Sequence, residues 1–228
     1  MNTHASRRTS SHKAERRSPD LCSPSAAPAE PTQVSRWRRF NDRPGTGWGT
    51  GLFAILLLLA GQAYGDDAVL ARLQEPGTVL LLRHALAPGT GDPPGFQLDD
   101  CSTQRNLSEA GREQARALGD RLRTAGIEEA RVYSSRWCRC LETAELLALG
   151  PVQPEPALDS FFQRRAEGPD RTAALRERLR GLPPGPPVVM VTHQVNISAL
   201  TGEFTPSGAG VIIRIAPDSE QEILGVLR

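Results

Sequence analysis

Lysine is all but missing from these 228 residues: Lys13 is the only one. A P-loop, a Schiff-base enzyme and a kinase-type site each depend on a lysine, so none of them can be built beyond that point. No Gly-x-Ser-x-Gly turn and no His-Glu-x-x-His pair occurs, which removes the serine-hydrolase elbow and the zinc-peptidase helix. A Cys-x5-Arg phosphate loop fails as well, because Leu107, Ala144 and Leu146 stand six places after Cys101, Cys138 and Cys140. No internal repeat is visible. At 39% hydrophobic and 23% charged, the chain is neither a collagen, a coiled coil nor a multi-span membrane protein. Its length fits one ordinary domain plus an extension.

Charge is unevenly shared. Residues 1–65 carry nine Lys or Arg against four acids, whereas 66–228 carry 18 against 22. A mildly acidic body lacks the basic face that nucleic acid requires, so no nucleic-acid partner is expected. Residues 1–51 are rich in Ser, Pro, Arg and Gly without a hydrophobic period, and read as a disordered basic leader. Leu52–Ala60 is an apolar run, too short for the roughly 20 residues of a membrane-crossing helix. Arg36, Arg38, Arg39 and Arg43 precede it, and Ala63 and Gly65 suit a cut before Asp66. Residues 52–65 therefore read as the apolar region and cleavage site of a secretory signal. An uncleaved anchor and a buried core helix are the competing readings, and a true start near Val34 would bring the leader to an ordinary length. The expected location is periplasmic or secreted, with membrane contact only through this signal or anchor. Two readings stand for Cys101, Cys138 and Cys140, with a Cys-x-Cys-plus-His metal site a poor third because metal spacing and further ligands are missing. Either Cys101 pairs with Cys138 or Cys140 and one thiol is left over, or all three are buried, inert thiols.

Residues 66–228 read as one domain. Strands are expected at Thr78–Leu82, Arg131–Ser134, Val188–Val191 and Val211–Ile215, with Glu222–Leu227 as an edge strand. The first and third are apolar throughout, as strands covered on both faces are. Helices are expected at Ala110–Arg123 behind a Ser108 cap, at Trp137–Leu149 and at Arg171–Arg180. This alternation predicts the α/β class with a mostly parallel central sheet. A long loop, Ala87–Gln104, follows the first strand, and ligands in such sheets bind beyond the carboxyl ends of the strands.

The body has two histidines, His84 and His193, and each directly follows an apolar strand. In a parallel sheet both imidazoles reach the same ligand-binding edge. One such histidine is more often a satisfied structural residue; two at matching positions point to a working pair. Arg83 beside the first makes phosphate the natural ligand, since a guanidinium grips two phosphate oxygens and an imidazole serves as nucleophile or acid/base near neutral pH.

Four segments carry a resemblance. Leu82-Arg83-His84-Ala85 resembles the Arg-His-Gly signature of the histidine phosphatase superfamily, with its three-layer, phosphoglycerate-mutase-like α/β fold. Leu107-Ser108-Glu109-Ala110-Gly111 resembles that family's Leu-Ser/Thr-x-x-Gly helix start. Ser134-Ser135-Arg136-Trp137-Cys138-Arg139-Cys140-Leu141-Glu142-Thr143-Ala144 resembles its Ser-Pro-x-x-Arg-Ala-x-x-Thr-Ala element, and Thr192-His193-Gln194 stands where Ser/Thr-His-Gly is usual. The resemblance implies that His84 is the nucleophile that becomes phosphohistidine. Arg83, Arg139 and a protonated His193 would hold the phosphoryl oxygens, and no metal or cofactor is implied. Thr143-Ala144 fixes the register on Arg139, leaving Arg136 as a surface charge near the pocket.

Three departures bear on this reading. Ala85 and Gln194 replace glycines, which implies a more crowded pocket and a further substrate contact from Gln194. The family's frequent proton donor, a Glu, falls on Ser160, so Asp159, Asp99 and Asp100 become the candidate donors, with ordinary solvated carboxylates as the alternative for each. Relatives lacking that acid act on substrates with good leaving groups. The sequons at Asn106 and Asn196 overlap expected helix starts and read as coincidence, with Asn196 orienting a loop beside His193. The chain lacks the insertions of the mutases and phytases. The expected function is a metal-independent phosphomonoesterase acting on a small-molecule or lipopolysaccharide-type phosphate ester of the envelope. A phosphate-recognising, non-catalytic member of the same fold is the alternative.

Overall fold

The computed structural model describes residues 65–215 and 221–228. The leader 1–51 and the apolar run with Ala63 lie outside the described residues. Among those residues, no helix is long and apolar enough to cross a membrane.

Six strands form one sheet: β1 (Thr78–Arg83), β2 (Arg131–Ser134), β3 (Val152–Pro154), β4 (Val188–Thr192), β5 (Gly210–Arg214) and β6 (Glu222–Leu227), in the order β3-β2-β4-β1-β5-β6. The first four in that order run parallel, and β5 and β6 are antiparallel. Besides a helical stretch over 65–71, the helices are α1 (Glu109–Thr124), α2 (Cys138–Leu147), α3 (Gly168–Arg180) and α4 (Gln194–Thr201).

Strand alternation builds two apolar layers, because successive side chains leave opposite faces of a sheet. Leu80 and Leu82 of β1, Val132 of β2 and Val189 and Val191 of β4 pack with Leu118 and Leu122 of α1 and Ala144 and Leu147 of α2. Val79 and Leu81, Tyr133, Val188 and Met190 face the other way, onto Leu175 and Leu179 of α3 and Ile197 and Leu200 of α4. Each fully buried Leu, Val or Ile contributes about 1.5–3 kcal/mol relative to exposure. The result is the three-layer α/β architecture with the sheet in the middle.

The structure differs from expectation in several places, helix α4 being one that was not among the three expected helices. Strand β3, three residues long and ending in Pro154, was not expected; it sits at the sheet edge, where proline's missing N–H costs no ladder bond. Helix α2 stops at Leu147 rather than Leu149, because Ala148 takes a left-handed conformation (φ 52°). Helix α3 begins at Gly168, with Pro169 in its first turn and Asp170 against its positive end.

For function, the pairing of β1 with β4 matters most. Arg83 lies level with Thr192, and the His84 N–H donates to the Thr192 carbonyl at 3.0 Å. The two strand-end histidines therefore leave adjacent parallel strands at the same height.

Candidate active site

Beyond the carboxyl ends of β1 and β4 lies a cavity of about 430 Å³ whose lining includes Arg83, His84, Arg139, His193 and Gln194. The His84 and His193 rings are 5.5 Å apart, centre to centre, and stand edge to face. His84 is fixed by its own strand end: Nδ1 donates to the Ala85 carbonyl at 2.8 Å, which leaves the lone pair on Nε2. Thr143 ties α2 to the same point. Its hydroxyl accepts from the Ala85 N–H at 3.0 Å and donates to the Arg139 carbonyl at 2.6 Å. This contact explains the Thr-Ala spacing after Arg139. Gly111 has a comparable role, since a Cβ there would sit 2.1 Å from the Leu86 carbonyl oxygen. Only glycine lets α1 pass so close to the chain that follows His84.

The electrostatics are those of an anion site. Burial, then the Arg139 charge, pulls the His84 pKa down to about 3 despite the opposing Ala85 hydrogen bond, with Arg105 and Arg83 adding to the depression. His193 is pushed well below its ordinary value by burial first, then by Arg139, His84, Arg105 and Arg83. Both imidazoles are neutral at neutral pH. His84 is thereby a free base, whereas the protonated His193 expected from the sequence is not the resting state. A phosphate dianion beside His193 acts in the opposite sense and favours its protonation.

The structure adds two residues that the sequence reading missed. Arg105 lines the cavity and braces the loop after β1, donating from Nε to the Gly91 carbonyl at 2.8 Å and from Nη1 to the Ala87 carbonyl. Asp92, in that loop, faces Arg139 with both oxygens, at 2.7 and 3.1 Å, and both side chains are almost wholly buried. The Arg105 N–H and the Trp137 indole N–H also donate to Asp92, at 3.1 and 3.0 Å. Burial works to raise the Asp92 pKa, but Arg139, the Arg105 N–H and Trp137 outweigh it and hold the carboxylate below its ordinary range. Both residues fall within or just after the loop already placed at the ligand edge, and their charge within it was the available signal.

His193 is held from behind. Nε2 lies 2.9 Å from the Ser135 hydroxyl and 3.4 Å from the Cys140 thiol, while Nδ1 lies 3.4 Å from Nη2 of Arg139. A guanidinium only donates, so Nδ1 accepts and the ring proton sits on Nε2, facing Ser135. Ser135 passes its own proton toward Asp159 at 3.4 Å.

The candidate proton donors lie elsewhere. Asp159 is buried but is absent from the cavity lining; its carboxylate receives the Arg136 guanidinium and backbone N–H, the latter at 3.0 Å. Arg136 is thus a half-exposed partner of Asp159 rather than a lone surface charge. Asp99 and Asp100 are exposed and also absent from the lining, and Asp100 spends its carboxylate capping Ser102 at 2.9 Å. None of the three candidate donors is brought to the cavity wall beside His84. Ser160 does line the cavity. Ala85 packs with Ala87, Leu107 and Ala115 instead of crowding the cavity, whereas Gln194 lines it and donates to the Ser198 hydroxyl at 2.6 Å. Asn196 is buried and donates to the Asp159 carbonyl at 3.0 Å, which anchors the loop beside His193. Asn106 donates to the Cys101 carbonyl.

Of the alternatives for the thiols, the structure takes the disulfide Cys101–Cys138. It fastens the end of the loop after β1 to the first residue of α2, next to Arg139. Cys140 stays a buried thiol, its pKa pushed up to about 12 chiefly by burial.

Comparison with known proteins follows the same lines. The family model described as the histidine phosphatase superfamily (branch 1) matches residues 79–170. No curated protein matches significantly. Solved structures that align include the protein histidine phosphatase SixA complexed with tungstate, at 18% identity over 66% of this chain and 96% of that one, TM-score 0.47. The putative phosphohistidine phosphatase SixA from Agrobacterium tumefaciens aligns at 18% identity over 68% and 99%, TM-score 0.48. Phosphoglycerate mutase from Thermus thermophilus aligns at 20% identity over 66% and 98%, TM-score 0.47. The family match spans β1, His84 and the α2 arginine, the segments whose convergence the structure describes. Over residues 79–170 the chain is similar to the histidine phosphatase superfamily.

Proposed function

We propose that this protein is a metal-independent phosphomonoesterase that works through a phosphohistidine at His84. The observation that carries the reading is the state of His84: a neutral ring, pinned at Nδ1, with Nε2 free and guanidiniums around it. Arg83, Arg105, Arg139 and Arg164 against Asp92, with both imidazoles neutral, leave a balance of three positive charges in the cavity wall, which suits a phosphomonoester dianion. Nε2 attacks phosphorus in line as the ester P–O bond breaks, and the guanidiniums and His193 stabilise charge on the equatorial oxygens. Water then attacks the P–N bond and releases orthophosphate. No carboxylic acid stands at the family's usual donor position, where Ser160 lies, so leaving groups that depart without full protonation are favoured.

Phe96, Trp137 and Phe162 also line the cavity and offer apolar walls for the organic part of a small ester. With the signal-like run at residues 52–65, this supports a periplasmic or secreted enzyme acting on an envelope phosphate ester, such as a phosphorylated lipopolysaccharide sugar. The engagement of Arg139 by Asp92 favours a second reading, a phosphate-binding protein without turnover. Rapid-quench labelling with an aryl phosphate separates the two. A burst with acid-labile, base-stable label, absent from His84→Ala and untouched by chelators, is the result expected. Anion binding without any label would replace the enzyme by the binding protein.

A further inference from the structure

In the free protein, both terminal nitrogens of the arginine expected to grip the phosphoryl group are already engaged. Nη1 of Arg139 donates to Asp92 at 2.7 Å and to the Arg105 carbonyl at 3.3 Å; Nη2 donates to Asp92 at 3.1 Å and faces Nδ1 of His193 at 3.4 Å. All four terminal hydrogens are thus spoken for, and Nε is buried with no partner. A phosphoryl oxygen gains a hydrogen bond from this fork only when a present partner leaves.

The partners differ in how easily they leave. The Arg105 carbonyl is main chain at the approach to α1, and His193 is held on its far side by Ser135. Asp92 is a side chain on irregular backbone, preceded by Gly89 and Gly91 at φ 93° and 70°, and leaving Arg139 also costs it the N–H groups of Arg105 and the Trp137 indole at 3.1 and 3.0 Å. It also carries the charge of the incoming group, and two anions on one guanidinium repel. A carboxylate at a fork of this shape mimics two phosphoryl oxygens.

We propose that Asp92 is a resident counter-ion which the phosphoryl group of the substrate displaces from Arg139, and that this exchange makes the site selective for dianions. The inference rests on the phosphomonoesterase reading and deepens it. A dianion gains more from the guanidiniums of the cavity wall than the single carboxylate it replaces. A monoanion gains no more than Asp92 already supplies, so it does not open the site. Asp92 in this role keeps a buried guanidinium paired until substrate arrives and sets the threshold that the substrate must exceed.

Calorimetric titration of the full chain with orthophosphate at pH 7.5, and with nitrate as a monoanion, tests this. Asp92→Asn keeps the shape and removes the charge. The expected result is orthophosphate binding about tenfold tighter or more than in wild type, with nitrate binding now measurable. Unchanged or weaker orthophosphate binding in Asp92→Asn would overturn the proposal and make Asp92 a positioning residue for Arg139. A crystal structure of the wild type with orthovanadate serves if the variant does not fold. Arg139 on vanadate oxygens with Asp92 withdrawn supports the exchange; vanadate bound with the Asp92–Arg139 pair intact refutes it. If no tetrahedral dianion binds to wild type or variant, the phosphate reading itself falls, and the exchange with it.

Discussion

His84 and His193 end neighbouring parallel strands at the same level, yet their surroundings are built to opposite ends. His84 has one protein partner, the carbonyl of the next residue, and keeps a free ring nitrogen. His193 has contacts on both nitrogens, to Ser135 and Cys140 behind and to Arg139 in front. One ring is oriented at little cost to its reactivity, as a nucleophile must be. The other is locked into a single tautomer, as suits a group that holds charge without forming a bond to phosphorus.

The largest effect that this contrast predicts separates the two rings by kinetics. His84→Ala is expected to lower kcat/KM by about 10⁴-fold or more, since it removes the covalent route. His193→Ala is expected to cost about 10²–10³-fold, the range for loss of one charge-stabilising donor. It should also leave a phosphoenzyme that forms slowly but can be trapped. Equal losses, with no phosphoenzyme from either variant, would erase the distinction.

Acid stability probes what the two rings share. Both take up protons less readily in the folded protein than the ordinary value of 6.5, His84 down to about 3. Below about pH 6.5 the unfolded chain therefore gains protons that the folded protein refuses. The stabilisation is fully present above that pH and is lost as pH falls toward 3 for His84. The expected slope is about 1.4 kcal/mol per pH unit for each imidazole. Urea midpoints measured from pH 7.5 to 4.5 should show a shallower fall in His84→Gln, and also in His193→Gln, than in wild type. A fall of equal steepness in all three would place the proton uptake elsewhere.

The two halves of the site also differ in how far they could be read from sequence. Strands β1 and β4 announce themselves because burial on both faces demands an unbroken apolar run, and a histidine after each marks the edge. Arg139 follows from the register of Thr143, whose hydroxyl ties α2 to Ala85. Asp92 and Arg105 were legible only as charges in a loop without a period, and what distinguishes Asp92 from Asp99 or Asp100 is a contact 47 residues away in the chain. Asp159 drew attention by adjacency to the family's donor position, and only the fold reveals that its carboxylate serves Arg136. Strand β3 and the start of α3 were missed or shortened for a simpler reason: Val152–Pro154 has no alternation to detect. Pro169 and Asp170 were usable first-turn signals that outweigh the apolar count.

The smallest effect concerns the contacts that lock His193. Ser135 stands between Nε2 of His193 and the Asp159 carboxylate, at 2.9 and 3.4 Å, with all three residues buried. If the hydroxyl accepts the Nε2 proton and donates its own to Asp159, it fixes the tautomer that turns Nδ1 toward Arg139 and the substrate. Ser135→Ala removes that bias and leaves only the Cys140 thiol, a weak partner at 3.4 Å. The expected loss is about tenfold in kcat, near the energy of a single buried hydrogen bond, with KM little changed because the guanidiniums are untouched. Imidazole ¹⁵N shifts supply a reading that mere loosening of the core would not give. Wild-type His193 should report a proton on Nε2 at pH 7.5, and Ser135→Ala a mixture of the two tautomers. A variant that keeps the Nε2–H form while losing activity would assign the serine to packing, and the lock on His193 would then belong to Arg139 alone.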